Sequence, residues 1–228
     1  MKYKWKILII LSALFVFIFA AKSRPGIDYT GAKLGRWTMD YRAVLKKAKK
    51  YKKPIFINFT GSDWCKWCIL MAKNVFSKST WKKFAKKNLY MAYIDFPKMD
   101  PSLVPDKYVE RNQKLMQEFG VRGFPTFIVL DYDGTEIGRL SAGENKTPKS
   151  FIKEIKDILK ITPSFYKKIL SKKKQVRLKI LLKKKKKIFF DFKTWIDTKP
   201  QKTEKNMKIY QNFITKLKAL NVKIDKLF

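Results

Sequence analysis

Ile55-Phe56-Ile57-Asn58-Phe59-Thr60-Gly61-Ser62-Asp63-Trp64-Cys65-Lys66-Trp67-Cys68 is the stretch that decides the fold. Its first five residues form an apolar run between Pro54 and Gly61, the pattern of a buried strand. Helical spacing resumes at Leu70, Met71, Val75 and Phe76. The only two cysteines of the chain therefore fall where a helix begins after a buried strand. Residues i and i+3 share a helix face, so the two sulfurs can reach disulfide geometry with little backbone movement. A helix N-terminus offers unpaired N–H groups and partial positive charge, which stabilise a thiolate. Lys66 adds a cation beside it. In such a loop the first cysteine is ordinarily the exposed one, which makes Cys65 the expected nucleophile and Cys68 the resolving thiol. The spacing alone leaves open a half zinc site completed by a second copy, and an inert pair. A purely structural bridge between them would constrain little, because loop-closure stabilisation grows with loop length.

Working outward, Tyr41, Val44, Leu45, Ala48 and Tyr51 recur at helical spacing until Pro54, while residues 24–39, with Pro25, Gly26, Gly31 and Gly35, read as a linker. Beyond the cysteines, Trp81, Phe84 and Ala85 continue a helical pattern. Residues 89–94 read as a strand, 106–119 as a helix stopped by Gly120, and 126–130 as a strand. Asp131-Tyr132-Asp133-Gly134 is a hairpin turn before a strand at 136–140, and Pro148 opens a helix to about Leu159. This order predicts an α/β domain over residues 24–162, in which strands joined through helices pair in parallel and the final hairpin adds an antiparallel pair.

Composition narrows the chemistry. The 228 residues are 46% apolar and 15% aromatic, enough for a sizeable core. The absence of histidine excludes Ser-His-Asp triads and His-ligated metal sites, and two cysteines exclude a four-cysteine zinc site. Lys and Arg number 53 against 18 acids, a net charge of +35. Only seven of the 53 are arginine, whereas a protein shaped for phosphate recognition usually leans on arginine as well. A compositional bias and a selected electrostatic role both account for it.

Phe59-Thr60-Gly61-Ser62-Asp63-Trp64-Cys65-Lys66-Trp67-Cys68 resembles the active-site loop of the thioredoxin superfamily, and most of all that of exported, Dsb-type thioredoxin-like disulfide reductases of the periplasm. The resemblance continues through Tyr93-Ile94-Asp95-Phe96-Pro97 and Gly120-Val121-Arg122-Gly123-Phe124-Pro125-Thr126 and covers roughly residues 38–160. It implies a thioredoxin fold, a central mixed sheet flanked by helices. It also implies a redox-active Cys65–Cys68 disulfide and a cis peptide before Pro125. The backbone of Phe124 would then pair with a bound substrate strand, with Trp64 flanking the nucleophile. Lys66 is the expected tuner of the thiolate. No prosthetic group and no metal are implied. The expected partners are disulfide-containing protein substrates and a membrane electron donor, and the default oligomeric state is a monomer. One departure stands out: the buried Asp that the family places in the strand before the cysteines falls on Asn58. Asn cannot relay a proton, which leaves water, Lys66 or Asp63 for the resolving step. Redox direction does not follow from Lys66-Trp67, and reduction is favoured by the resemblance alone.

Both ends extend beyond this domain. Lys2, Lys4 and Lys6 precede fifteen uncharged residues, 7–21, the make-up of a signal peptide over residues 1–23, with an uncleaved inner-membrane anchor as the alternative. Either places the rest of the chain outside the cytoplasm, in the periplasm or an equivalent space. Residues 163–228 hold twenty lysines and one arginine against four acids, a net of +17. Their spacing predicts two or three amphipathic helices, interrupted near Lys183–Lys187 and near Pro200. Such helices suit an anionic membrane or an envelope polymer, so a basic binding module on a thioredoxin-like scaffold is the rival function. A solvated helical appendage of biased composition explains the same pattern. Nucleic acid is disfavoured by the export signal, and Phe189, Phe190, Phe192 and Trp195 read as a packing cluster as readily as a stacking platform.

Overall fold

The computed structural model describes residues 25–228 except Lys199. The export segment expected over residues 1–23 lies outside them. The chain forms two compact units, the first ending at Ile155 and the second beginning at Lys156.

The first unit is built on a six-stranded sheet. Its strands are β1 (Ile27–Asp28), β2 (Trp37–Thr38), β3 (Ile55–Thr60), β4 (Tyr90–Asp95), β5 (Thr126–Leu130) and β6 (Glu136–Ser141), in the spatial order β1-β2-β4-β3-β5-β6. The helices are α1 (Tyr41–Tyr51), α2 (Lys66–Met71, continued by one π turn at Ala72–Phe76), α3 (Ser79–Asn88), α4 (Asp106–Glu118) and α5 (Pro148–Leu159). Local chemistry sets the ends of α1. The Asp40 carboxylate accepts the N–H of Ala43 at its start, and Lys52 adopts a left-handed conformation (φ 50°) two residues before Pro54.

β3 is buried along its whole length, so both faces carry apolar side chains. Ile55, Ile57 and Phe59 meet Val44 and Ala48 of α1 and Leu115 of α4 in one core. On the opposite face Phe56 packs against Phe76, Trp81, Phe127 and Phe151, with ring centroids 5.4–6.1 Å apart. These edge-on and stacked contacts add to the area term.

Two expectations for the first unit are corrected. Residues 24–39 are not a plain linker: β1 and β2 extend the sheet in parallel beyond β4, because Trp37 finds Phe56, Phe76 and Tyr93 to pack against and Thr38 and Met39 are buried. Strands joined through helices also do not all pair in parallel. β3 and β4 do, but β5, reached through α4, runs antiparallel to β3. Phe119, just after α4, packs on Phe59 at 5.9 Å, so the chain re-enters the sheet at the end it left. Thr126 accordingly pairs with Phe59, and Leu130 with Ile55.

The second unit contains α6 (Pro163–Ile169), α7 (Lys172–Asp197) and α8 (Glu204–Asp225) around Leu178, Leu181, Leu220, Ile224 and Leu227. The expected interruption at Lys183–Lys187 is absent. α7 runs straight through, since lysine is a good helix former and its aliphatic stem can lie along the helix while the charge stays in water. The break falls between α7 and α8, around Pro200. Phe192, Trp195, Tyr210 and Phe213 cluster between these two helices, whereas Phe189 and Phe190 are exposed. No described helix is long and apolar enough to cross a membrane.

Candidate active site

Cys65 and Cys68 form a disulfide at the start of α2, with their Cα atoms 5.2 Å apart. Cys65 is extended (φ −81°, ψ 105°) and serves as the N-cap of α2, its Sγ accepting the backbone N–H of Cys68 at 3.2 Å. A sulfur in this position sits where the helix's free N–H groups point. Contrary to the expected contrast in exposure, both residues are buried, at 6% and 5% exposed. In the bridged form the first sulfur is tied back over the helix start and is no more open than the second. Lys66 is exposed, and its ammonium forms no hydrogen bond among the described residues.

Three segments distant in sequence converge beside the pair. Gly61 turns the chain out of β3, and its carbonyl accepts the N–H of Cys65 at 2.8 Å. A Cβ on Gly61 would lie 2.5 Å from the Trp64 ring, so only glycine leaves room for that indole. Trp64 donates its Nε1–H to the carbonyl of Phe96 (2.8 Å) and stands edge-on to Phe124 at 5.9 Å, while Phe96 stacks on Phe124 at 5.1 Å. The Phe124–Pro125 peptide is cis. Phe124 is half-buried and Pro125 buried. Trp64, Phe96 and Phe124 thus form an aromatic wall next to the cysteines.

Polar contacts lock the wall. The Asp95 carboxylate, at the end of β4, accepts the N–H and hydroxyl of Ser62 (3.0 and 2.6 Å), and its carbonyl accepts Asn112 Nδ2 from α4 at 2.9 Å. Asp63 accepts the backbone N–H groups of Lys98, Met99 and Asp100 at 2.7–3.1 Å. Desolvation pushes the Asp63 carboxyl up, but the hydrogen bonds from Asp100, Lys98 and Met99 outweigh it and hold the group below its ordinary value. It is an ionised anchor, which removes it as a proton carrier at neutral pH. Asn58 is buried in mid-β3, and its Oδ1 has no hydrogen-bond partner among the described residues.

Sequence reasoning named Trp64, Cys65, Lys66, Cys68, Phe124 and Pro125. It did not assign roles to Gly61, Ser62, Asp95, Phe96 or Lys98. The available signal was that Ser62-Asp63 and Asp95-Phe96 both belong to the recognised motifs: each motif supplies the hydrogen-bond partners of the other.

A family model described as a thioredoxin-like domain matches residues 41–159. The disulfide bond reductase DsbH of Chlamydia pneumoniae is 34% identical over 121 residues, covering 53% of this chain and 71% of that protein. The thioredoxin-related protein DsbJ of the same organism is 26% identical over 111 residues, covering 49% of this chain but only 31% of its own length. A solved structure of a DsbH oxidoreductase superposes with a TM-score of 0.51 at 29% identity, covering 62% of this chain and 92% of that one.

Proposed function

The chain belongs to the thioredoxin-like domain family, and from that premise we propose that it is an extracytoplasmic protein-disulfide reductase working through Cys65 and Cys68. The observation that carries this is the position of the pair: Cys65 Sγ at the N-terminus of α2, beside the Trp64–Phe96–Phe124 wall. The name of the relative DsbH, a disulfide bond reductase, favours reduction over oxidation.

In the reduced enzyme the Cys65 thiolate, held by the Cys68 N–H and the helix terminus, attacks one sulfur of a substrate disulfide. The Cys65–substrate bond forms as the substrate S–S bond breaks, releasing one substrate thiolate. Cys68 then attacks Cys65 Sγ, forming the intramolecular disulfide and releasing the second thiolate. The substrate gains two electrons and the Cys65–Cys68 pair loses them. A dithiol donor in the membrane must restore the pair. Trp64 and the backbone of Phe124 hold the substrate strand. With Asn58 in place of an acid and Asp63 engaged by three amides, water takes the proton of Cys68. The segment over residues 1–23 directs the domain to the periplasm.

Three measurements test this. Cys65→Ser should abolish reduction of a protein disulfide, while Cys68→Ala should accumulate the mixed disulfide. A Cys65→Ser protein with full activity would end the proposal. The reduction potential of the pair should lie near about −270 to −230 mV, and a value near about −120 mV would make the protein an oxidant instead.

A further inference from the structure

The second unit contains a cleft of about 330 Å³ between α7 and α8. Its floor is Ile188, Ala219 and Leu220, and its rim is Lys184, Lys187, Lys216 and Lys223. The spacing explains the arrangement. Lys184, Lys187 and Ile188 share one face of α7, and Lys216, Ala219, Leu220 and Lys223 share one face of α8. Two such faces meeting at a helix seam bring four lysines and an apolar strip to one cleft. None of the four forms an ion pair among the described residues. Asp191 and Asp225 are the acids of these helices nearest in sequence to the rim, and neither lines the cleft. Asp225 acts on Lys185, which is also outside it.

Four like charges around one opening repel one another, and an anion between them relieves that repulsion. A small inorganic anion would gain nothing from the apolar floor. An amphiphile with an anionic head satisfies both parts. The outer face of α7 argues for a lipid in a membrane rather than a soluble one. Val176, Ile180 and Phe190 lie 57%, 53% and 68% exposed on the face that also carries Lys187. Lysines interleaved with exposed apolar side chains on one helix face are the signature of a helix lying in a bilayer interface.

We propose that the α7–α8 cleft binds the phosphate headgroup of an anionic membrane phospholipid, with Lys184, Lys187, Lys216 and Lys223 around the phosphate and the first carbons of the lipid against Ile188, Ala219 and Leu220. The site is independent of the Cys65–Cys68 chemistry and places the reductase domain at a membrane surface.

The test uses the full chain and sedimentation with phosphatidylcholine vesicles, with and without phosphatidylglycerol. The wild type should sediment only with the anionic vesicles. The fourfold variant K184Q/K187Q/K216Q/K223Q should bind them at least about tenfold more weakly, a difference of about 1.4 kcal/mol. A control, K186Q/K193Q/K205Q/K218Q, removes the same charge from exposed positions of the same helices, the α7 pair lying off the face of Val176, Ile180 and Lys187, and should bind clearly more tightly than the fourfold variant. Equal losses in the two variants would overturn the site in favour of diffuse attraction. Equal sedimentation of the wild type with both vesicles, or with neither, would overturn it as well. Circular dichroism confirms that both variants fold, and both should reduce a protein disulfide at the wild-type rate. Cys65→Ser should sediment like the wild type, so failure of the redox reading and failure of this one are distinguishable.

Discussion

The ammonium of Lys98 lies 3.8 Å from the centroid of the Trp64 ring. The contact is held from below: Asp63 binds the N–H groups of Lys98, Met99 and Asp100, and the Trp64 indole is fixed by the carbonyl of Phe96. A cation is thereby placed on the aromatic wall beside the cysteines.

Lys98 should bias substrate choice. We expect Lys98→Gln to lower kcat/KM for disulfide peptides flanked by acidic residues by about two- to fivefold, in line with about 0.5–1 kcal/mol for an exposed cation–π contact. Neutral peptides should change less. Paired kinetics on acidic and neutral peptides check this, and equal effects on both would remove Lys98 from substrate selection.

The Asp63 anchor should respond to pH with a defined sign. Its folded pKa lies below the unfolded value, so its contribution is complete above the unfolded value of about 3.9 and is lost as pH falls through the lower folded value. The amide resonance of Met99 should therefore titrate with a midpoint below about 3.9. In Asp63→Asn that transition should vanish.

Gly61→Ala should displace Trp64. The new Cβ would lie 2.5 Å from the indole, and overpacking of this kind costs about 1–3 kcal/mol. Urea denaturation should show that loss, and reduction of a protein disulfide should slow, because the Trp64–Phe124 contact is broken with it.

The aromatic core behind the sheet should dominate stability. Phe56 is fully buried among Trp37, Phe76, Trp81, Phe127 and Phe151. Phe56→Ala should cost about 3–5 kcal/mol by urea denaturation, the range for a large aromatic removed from a packed core.

Asn58 lies on the same face of β3 as Phe56, and its buried oxygen, without a partner among the described residues, is a cost of a different kind. Desolvating an amide oxygen without a partner costs about 1–3 kcal/mol. Asn58→Val should therefore hold or raise stability, read from the midpoint of the same denaturation series. A fall of more than about 1 kcal/mol would mean that the oxygen is satisfied in solution.

The amino-acid sequence by itself determined what depends on neighbours a few residues apart. The apolar run 55–59, the Cys65–Cys68 spacing, the helix opened by Pro148 and the turn at Asp131–Gly134 each carry a local period or a turn residue, and each stands where that pattern placed it. Tertiary structure alone decided the rest. Ser62 and Asp95 are 33 residues apart, and Asp63 and Met99 are 36 apart, so no local pattern announces that they meet. Residues 24–39 read as a linker because glycine and proline are locally dominant, yet Trp37 turns that segment into sheet by packing on Phe56, Phe76 and Tyr93. β5 runs against β3 because Phe119 packs on Phe59, a contact across 60 residues. Periodicity reports which side of an element is apolar. Which partner covers that side, and in which direction the chain returns, is settled only when the distant surfaces are buried together.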